Sequence, residues 1–260
     1  MRKSLSIILF LVLATSVIAQ EGEKQPKFRF GLKVAPSVAW LGPDKTKFND
    51  LDVENGGAKL KFGYGLITEF VLAKNYSFLT GVEVTYLGGG INYNTANNVN
   101  YKLNDSTALF LKSREYKQQY ITIPLALKLK TNEIGYMTYF GQIGVDASFK
   151  IKGRANDAGT LFSPDSTGAF TVQGIDHSES DVDILKQINL FRIALNVGIG
   201  AEWNIAGNTS LLFAVNYNNG FTNFFYNKNK DANTLVDKTG QKLEQKASSN
   251  YVALTVGVLF

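Results

Sequence analysis

One histidine, His177, stands in an acidic stretch, Asp176-His-Ser-Glu-Ser-Asp-Val-Asp183. An imidazole beside carboxylates could act as a general base or activate a nucleophile. The chain has no cysteine, so thiolate chemistry, disulfides and Cys-ligated metal sites are excluded. The same stretch, and Asp50-Leu-Asp-Val-Glu54, offer carboxylates to a divalent cation. Neither completes a calcium loop: Asn55 stands where the tight-turn glycine belongs, and no acid closes the loop. His177 falls mid-segment, away from a strand end that could hold it rigidly. Solvated loops are therefore expected at both places, with no metal, no cofactor and no catalytic residue, so the chain is expected not to be an enzyme.

A second set of charges is organised differently. Lys33, Lys61, Glu69, Glu83, Lys128, Asp146, Lys150, Arg192 and Glu202 all fall on one face of segments that alternate with period two. Eight such segments recur, at about 28–40, 59–72, 76–88, 116–130, 136–152, 188–204, 208–218 and 250–260. In the last, Val252, Leu254, Val256, Val258 and Phe260 share a face opposite Tyr251, Ala253, Thr255, Gly257 and Leu259. In the sixth, Ile193, Leu195, Val197, Ile199, Ala201 and Trp203 lie opposite Arg192, Asn196, Gly198, Gly200 and Glu202. The charged face is rich in small residues, which suit a narrow lumen, whereas the bulky apolar face suits lipid. A soluble barrel would turn the charges to water instead. Most segments reach the roughly nine to eleven residues that a tilted membrane strand needs.

The connections alternate in length. Ala73-Lys-Asn-Tyr76, Thr131-Asn-Glu-Ile-Gly135 and Ile205-Ala-Gly-Asn208 are tight and turn-forming, whereas 41–58, 89–115, 153–187 and 219–249 are long and polar. Ala108-Leu-Phe-Leu-Lys112 leaves open that 89–115 extends its flanking strands instead of forming a loop. The fold expected is all-β: an eight-stranded antiparallel up-and-down transmembrane β-barrel with short periplasmic turns, long outer loops and both termini periplasmic. Trp40 and Trp203 end strands at opposite rims, with Phe28, Phe30, Phe70, Phe78, Tyr86, Tyr217, Phe224 and Phe225 at the same levels, as interface aromatics do.

The beginning of the chain fits export. Met1-Arg2-Lys3 is cationic, Leu5 to Val12 is apolar, and Val17-Ile18-Ala19 precedes a plausible cleavage point. This predicts a signal peptide over 1–19 and a single barrel domain over 20–260. The formal charge of +5 falls to +3 without Arg2 and Lys3, too mild to argue for nucleic acid. The location expected is the bacterial outer membrane, with its lipid as one partner. By strand direction Arg29, Glu69, Lys128, Lys130 and Glu202 gather near the periplasmic end, and Lys33, Glu83, Asp146 and Asn196 at mid-height. Lys61, Lys150, Lys152 and Arg192 fall near the outer mouth. Two readings follow: a paired polar core that plugs the lumen, or an anion-attracting mouth above a narrow path.

Specific stretches then resemble a known family. Tyr120-Ile-Thr-Ile-Pro-Leu-Ala-Leu-Lys128 is similar to the Tyr-Leu-x-Ile-Pro-Leu-x-x-Lys strand of the PorT-like outer-membrane β-barrel family. Val197-Gly-Ile-Gly-Ala-Glu-Trp203, followed by Ser210-Leu-Leu-Phe-Ala-Val-Asn-Tyr217-Asn-Asn-Gly220-Phe-Thr-Asn223, resembles its penultimate hairpin, with Phe221 in place of the usual Leu. The resemblance implies a structural or interaction role in protein secretion or surface assembly, with other envelope proteins as partners, and it carries no catalytic residues. The terminal Phe260 resembles the signal read by the barrel-insertion machinery. The alternative function is a ligand-binding or narrow transport barrel that captures a small or anionic ligand at its outer mouth.

Overall fold

The computed structural model describes residues 27–44, 53–93, 100–104, 107–164, 170–228, 235–236, 242 and 244–260. The expected signal peptide and the residues Asp50, Leu51 and Asp52 lie outside these. The strands are β1 (Phe28–Pro43), β2 (Val53–Asn55), β3 (Lys59–Ala73), β4 (Tyr76–Tyr93), β5 (Asn100–Asn104) and β6 (Thr107–Lys130). They continue as β7 (Met137–Pro164), β8 (Phe170–Asp183), β9 (Phe191–Ala206), β10 (Thr209–Gly220) and β11 (Ala247–Leu259), with one 3-10 turn at Leu185–Gln187.

Eight of these strands close a ring in the order β1, β3, β4, β6, β7, β9, β10, β11, every neighbour antiparallel. The ring shuts where β1 pairs with β11, from Gly31↔Leu259 to Pro43↔Ala247. Closure leaves no free first or last strand in the ring, which a hydrocarbon environment demands because it cannot satisfy exposed backbone groups. Burial is inverted relative to a soluble protein. Phe30, Leu32, Val34, Leu66, Ile199 and Leu254 are exposed, while Glu69, Lys128, Asp146 and Arg192 are buried. The apolar side chains thus form a continuous outer band and the charges line the inside.

The strands are unequal. β6 and β7 run for 24 and 28 residues, well past the membrane, and their ladder continues to Ala108↔Phe162. β5 adds to β6, and β8 adds to β7 through pairs such as Gly159↔His177 and Thr160↔Asp176. Much of what reads as loop at 89–115 and 153–187 is therefore strand. For 89–115 the extension was one of the two readings. For 153–187 it corrects the expectation, because Asn156-Asp-Ala-Gly-Thr160 has little β preference of its own and is held extended by β6 on one side and β8 on the other.

Candidate functional site

The inside of the ring is filled at three levels. At the end carrying the short turns, the start of β1 and the end of β11, Glu69 and Glu202 sit among three cations. Arg29 donates to Glu202 at 2.6 Å and to Ser210 Oγ at 2.9 Å, and lies 3.6 Å from Glu69. Lys128 bridges Glu69, at 3.2 Å, and Glu202, while Lys130 meets Glu69 at 2.6 Å. Strand register supplies part of this: Arg29 is directly opposite Glu69 on the neighbouring strand. The Lys128 ammonium also lies 4.2 Å from the Phe140 ring centroid. Ile67, Phe140, Leu212, Ala214 and Leu259 form a buried apolar cluster at the same level.

At mid-height Lys33 pairs with Glu83 at 2.5 Å. Asp146 accepts hydrogen bonds from Asn196 at 3.1 Å, Asn218 at 2.6 Å and Tyr251 at 3.4 Å. Arg192 donates to the same Asn218 and to the Ser249 carbonyl at 2.8 Å, and lies over the Tyr251 ring. Of the nine charges read from sequence on one face, seven thus fall into two tiers: Glu69, Lys128 and Glu202 below, and Lys33 with Glu83 and Asp146 with Arg192 above. Arg192 is not at an open mouth. It is only 4% exposed. Lys150 is not at an open mouth either: it donates to the carbonyls of Leu185 and Ile188 and so pins the 3-10 turn beneath the long-loop end.

The third level is an apolar cap at the long-loop end. Leu41, Ile91, Tyr93, Leu109, Leu111, Tyr116, Ile184, Ile188, Phe224 and Phe225 form one buried cluster there. Phe224 and Phe225 stack edge-to-face with Tyr116 at 5.3 and 5.6 Å, so they are part of this interior and not membrane-interface aromatics. Within the cap, Arg114 grips Asp157 bidentately at 2.6 and 2.7 Å and donates to Gln187 at 3.0 Å. Tyr116 and Tyr93 share a hydroxyl contact of 3.2 Å, and Tyr93 donates on to Gln245 at 3.1 Å. Burial pushes both phenols above their usual range, while the bond to Asp157 outweighs the burial of Arg114 and raises its guanidinium further. The signal for these residues was present in the sequence: the inward parity of Thr122, Tyr120 and Gln118 continues through Tyr116 and Arg114.

The remaining candidates lie apart. His177 is on β8, half-buried, opposite Gly159, and so on a strand instead of a mid-loop position. No cluster of metal-ligating side chains occurs among the described residues. Trp40 stacks on Tyr217 at 6.5 Å near the long-loop end, and Trp203 is exposed at the short-turn end. Phe260 is tied to β1 by backbone bonds to Phe30, of 2.7 and 3.3 Å, and faces outward.

A closed antiparallel ring with an apolar exterior and a buried polar interior defines the class of integral β-barrels. The chain belongs to the family described as outer membrane protein beta-barrel domain, whose model matches residues 18–226. No curated protein matches its sequence. Solved structures similar to it include Ail, the attachment invasion locus protein of Yersinia pestis, at 13% identity with 90% of this chain and 99% of that one covered and a TM-score of 0.33. OprG from Pseudomonas aeruginosa aligns at 12% identity over 90% and 95%, TM-score 0.39. The outer membrane protease OmpT from Escherichia coli aligns at 9% identity over 93% and 99%, TM-score 0.36.

Proposed function

We propose that this outer-membrane barrel is a sealed, non-enzymatic interaction protein that docks other envelope proteins in secretion or surface assembly. The observation that carries the reading is the apolar cap closed around Arg114 and Asp157, above two tiers of paired charge. An interior filled at three levels suits a rigid support better than a conduit. The likeness of Tyr120–Lys128 and Val197–Asn223 to PorT-like barrels supports the choice of secretion or surface assembly. In this reading residues 1–19 are a cleaved signal peptide, both termini are periplasmic, and Phe260 is read by the insertion machinery. The β5–β6–β7–β8 extension then stands outside the cell as the docking platform.

The alternative of a narrow transport barrel needs a wet, basic mouth, and the mouth is lined by Tyr93, Leu109, Leu111 and Phe225 instead. Two measurements test the proposal together. The purified chain in planar bilayers is expected to give no discrete channels, and stable unitary conductance would overturn the sealed reading. A tagged chain drawn from outer membranes in mild detergent is expected to bring down a stoichiometric envelope protein. A barrel that repeatedly comes down alone would count against the docking role.

A further inference from the structure

At the long-loop end the wall is irregular on its outer side. β3 pairs with β4 only from Ala73↔Tyr76 up to Gly63↔Thr85, whereas β3 continues along β1 to Lys59 and β4 continues along β6 to Asn92. The segment 59–62 therefore has no ladder partner on its β4 side. Its lysines reach across this gap over a glycine floor. Lys61 Cε and Nζ lie 2.8 and 3.3 Å from where a Cβ on Gly88 would stand, and Lys59 Nζ reaches Glu115 on β6 at 3.4 Å. Lys61 was expected on the lumen face. The parting of the strands sends it sideways instead.

Beyond the floor the positive charge continues. Lys117 on β6 is directly opposite Gly88 on one side and Arg154 on the other. Like charges directly opposite in a sheet destabilise it. Arg154 has a distant offset in Asp183 at 3.7 Å, and Lys59 has Glu115, whose charge also acts on Lys61, but neither Lys61 nor Lys117 is in an ion pair within 4 Å among the described residues. Immediately toward the membrane, Phe62 stacks on Tyr86 at 4.5 Å and on Tyr64 at 6.2 Å, and Gln119 donates to the Tyr86 hydroxyl. Leu60 stands beside the lysines 84% exposed. Cations above, an aromatic shelf at the interface and lipid-facing aliphatics below are continuous on one outer surface.

We infer that this trough binds the phosphate of an outer-leaflet lipid, held by Lys61 and Lys117 with its acyl chains against Leu60 and Phe62. An anion there relieves the repulsion between the lysines, and the apolar continuity selects a lipid over free phosphate. The inference rests on the long-loop end facing outward, but its test in detergent does not depend on orientation. The full chain in detergent is titrated with diphosphoryl lipid A and followed by native mass spectrometry. Lys61→Gln with Lys117→Gln is expected to weaken binding by about 30-fold. Lys74→Gln, the same charge change at the opposite end, is expected to leave it unaltered.

Equal binding by all three proteins overturns the site. So does inorganic pyrophosphate displacing the lipid at equal concentration, because the ligand would then be a free phosphate. Should the double variant fail to fold, the unaltered chain decides. Diphosphoryl lipid A must protect Lys61 and Lys117, and not Lys74, from an amine-reactive label, and equal labelling with and without lipid overturns the proposal.

Discussion

A guanidinium and a carboxylate that share an apolar cap have exchanged hydration for one another. Arg114 and Asp157 retain 1% and 0% of their side-chain exposure, and the bidentate geometry places both carboxylate oxygens on guanidinium nitrogens. Taking such a pair out of water costs several kcal/mol per ion, which good geometry roughly offsets, so the intact pair adds little net stability. Removing one member is different, since the survivor is a buried, uncompensated charge. Asp157→Ala is expected to destabilise the barrel by about 3–5 kcal/mol, read as a lower urea midpoint of the folded band in detergent. Arg114→Leu combined with Asp157→Leu is expected to cost less than Asp157→Ala alone. A double variant that is worse than the single would show that the pair itself stabilises the cap. Parity made the charge-bearing face legible in the sequence, because each inward residue lies two from the next. Which acid meets which base was not legible beyond adjacent strands: Lys128 and Glu202 come from strands separated by β7, and cross-lumen partners depend on strand tilt and stagger.

Among the elements, β4 shows how local sequence shapes the mouth. Its Gly88-Gly89-Gly90 run lets the backbone approach where a side chain would block it. A Cβ on Gly89 would stand 2.6 Å from the Leu41 amide nitrogen and 3.0 Å from Trp40 Cα. This contact brings β4 onto β1 above the point where β3 has left, and it carries Ile91 and Tyr93 into the cap. Gly89→Val is expected to push β4 off β1 and loosen the cap while the membrane portion stays closed. Chymotrypsin should then cut at Tyr93 or Tyr116 in the folded variant but not in the parent chain. Resistance equal to the parent's would mean that β4 does not depend on this approach. The membrane portions of the eight ring strands were readable because lipid enforces strict alternation on them. The extension of β7 beyond residue 152 and the added strand β8 were not, because water on the outside relaxes the pattern, and Gly153, Gly159 and the Asp and Asn residues around them look like turn formers when the neighbouring ladder is unseen.

At the scale of the molecule, the two ends differ in kind, and that difference argues for one orientation. One end has three tight connections, the start of β1 and the end of β11. The other carries the long β6–β7 ladder, with β5 and β8 added, and a surface of charged residues such as Lys112 and Asp176, 2.8 Å apart. The Asp176 carboxyl is held below its ordinary range by its bond to Lys112, as for an ion pair in water. In an outer membrane, short turns belong on the periplasmic side and long extensions outside. The chain lacks cysteine, so a single introduced thiol reports on one end alone. Ser178→Cys on β8 is expected to react with a membrane-impermeant maleimide on intact cells. Lys74→Cys in the first short turn should react only after the outer membrane is permeabilised. The reverse pattern would place the β8 platform in the periplasm, and the search for a docking partner would move there with it. Labelling of both sites on intact cells, with the barrel still resistant to unfolding, would mean that the protein inserts in two directions, and a dedicated outward platform would then be untenable.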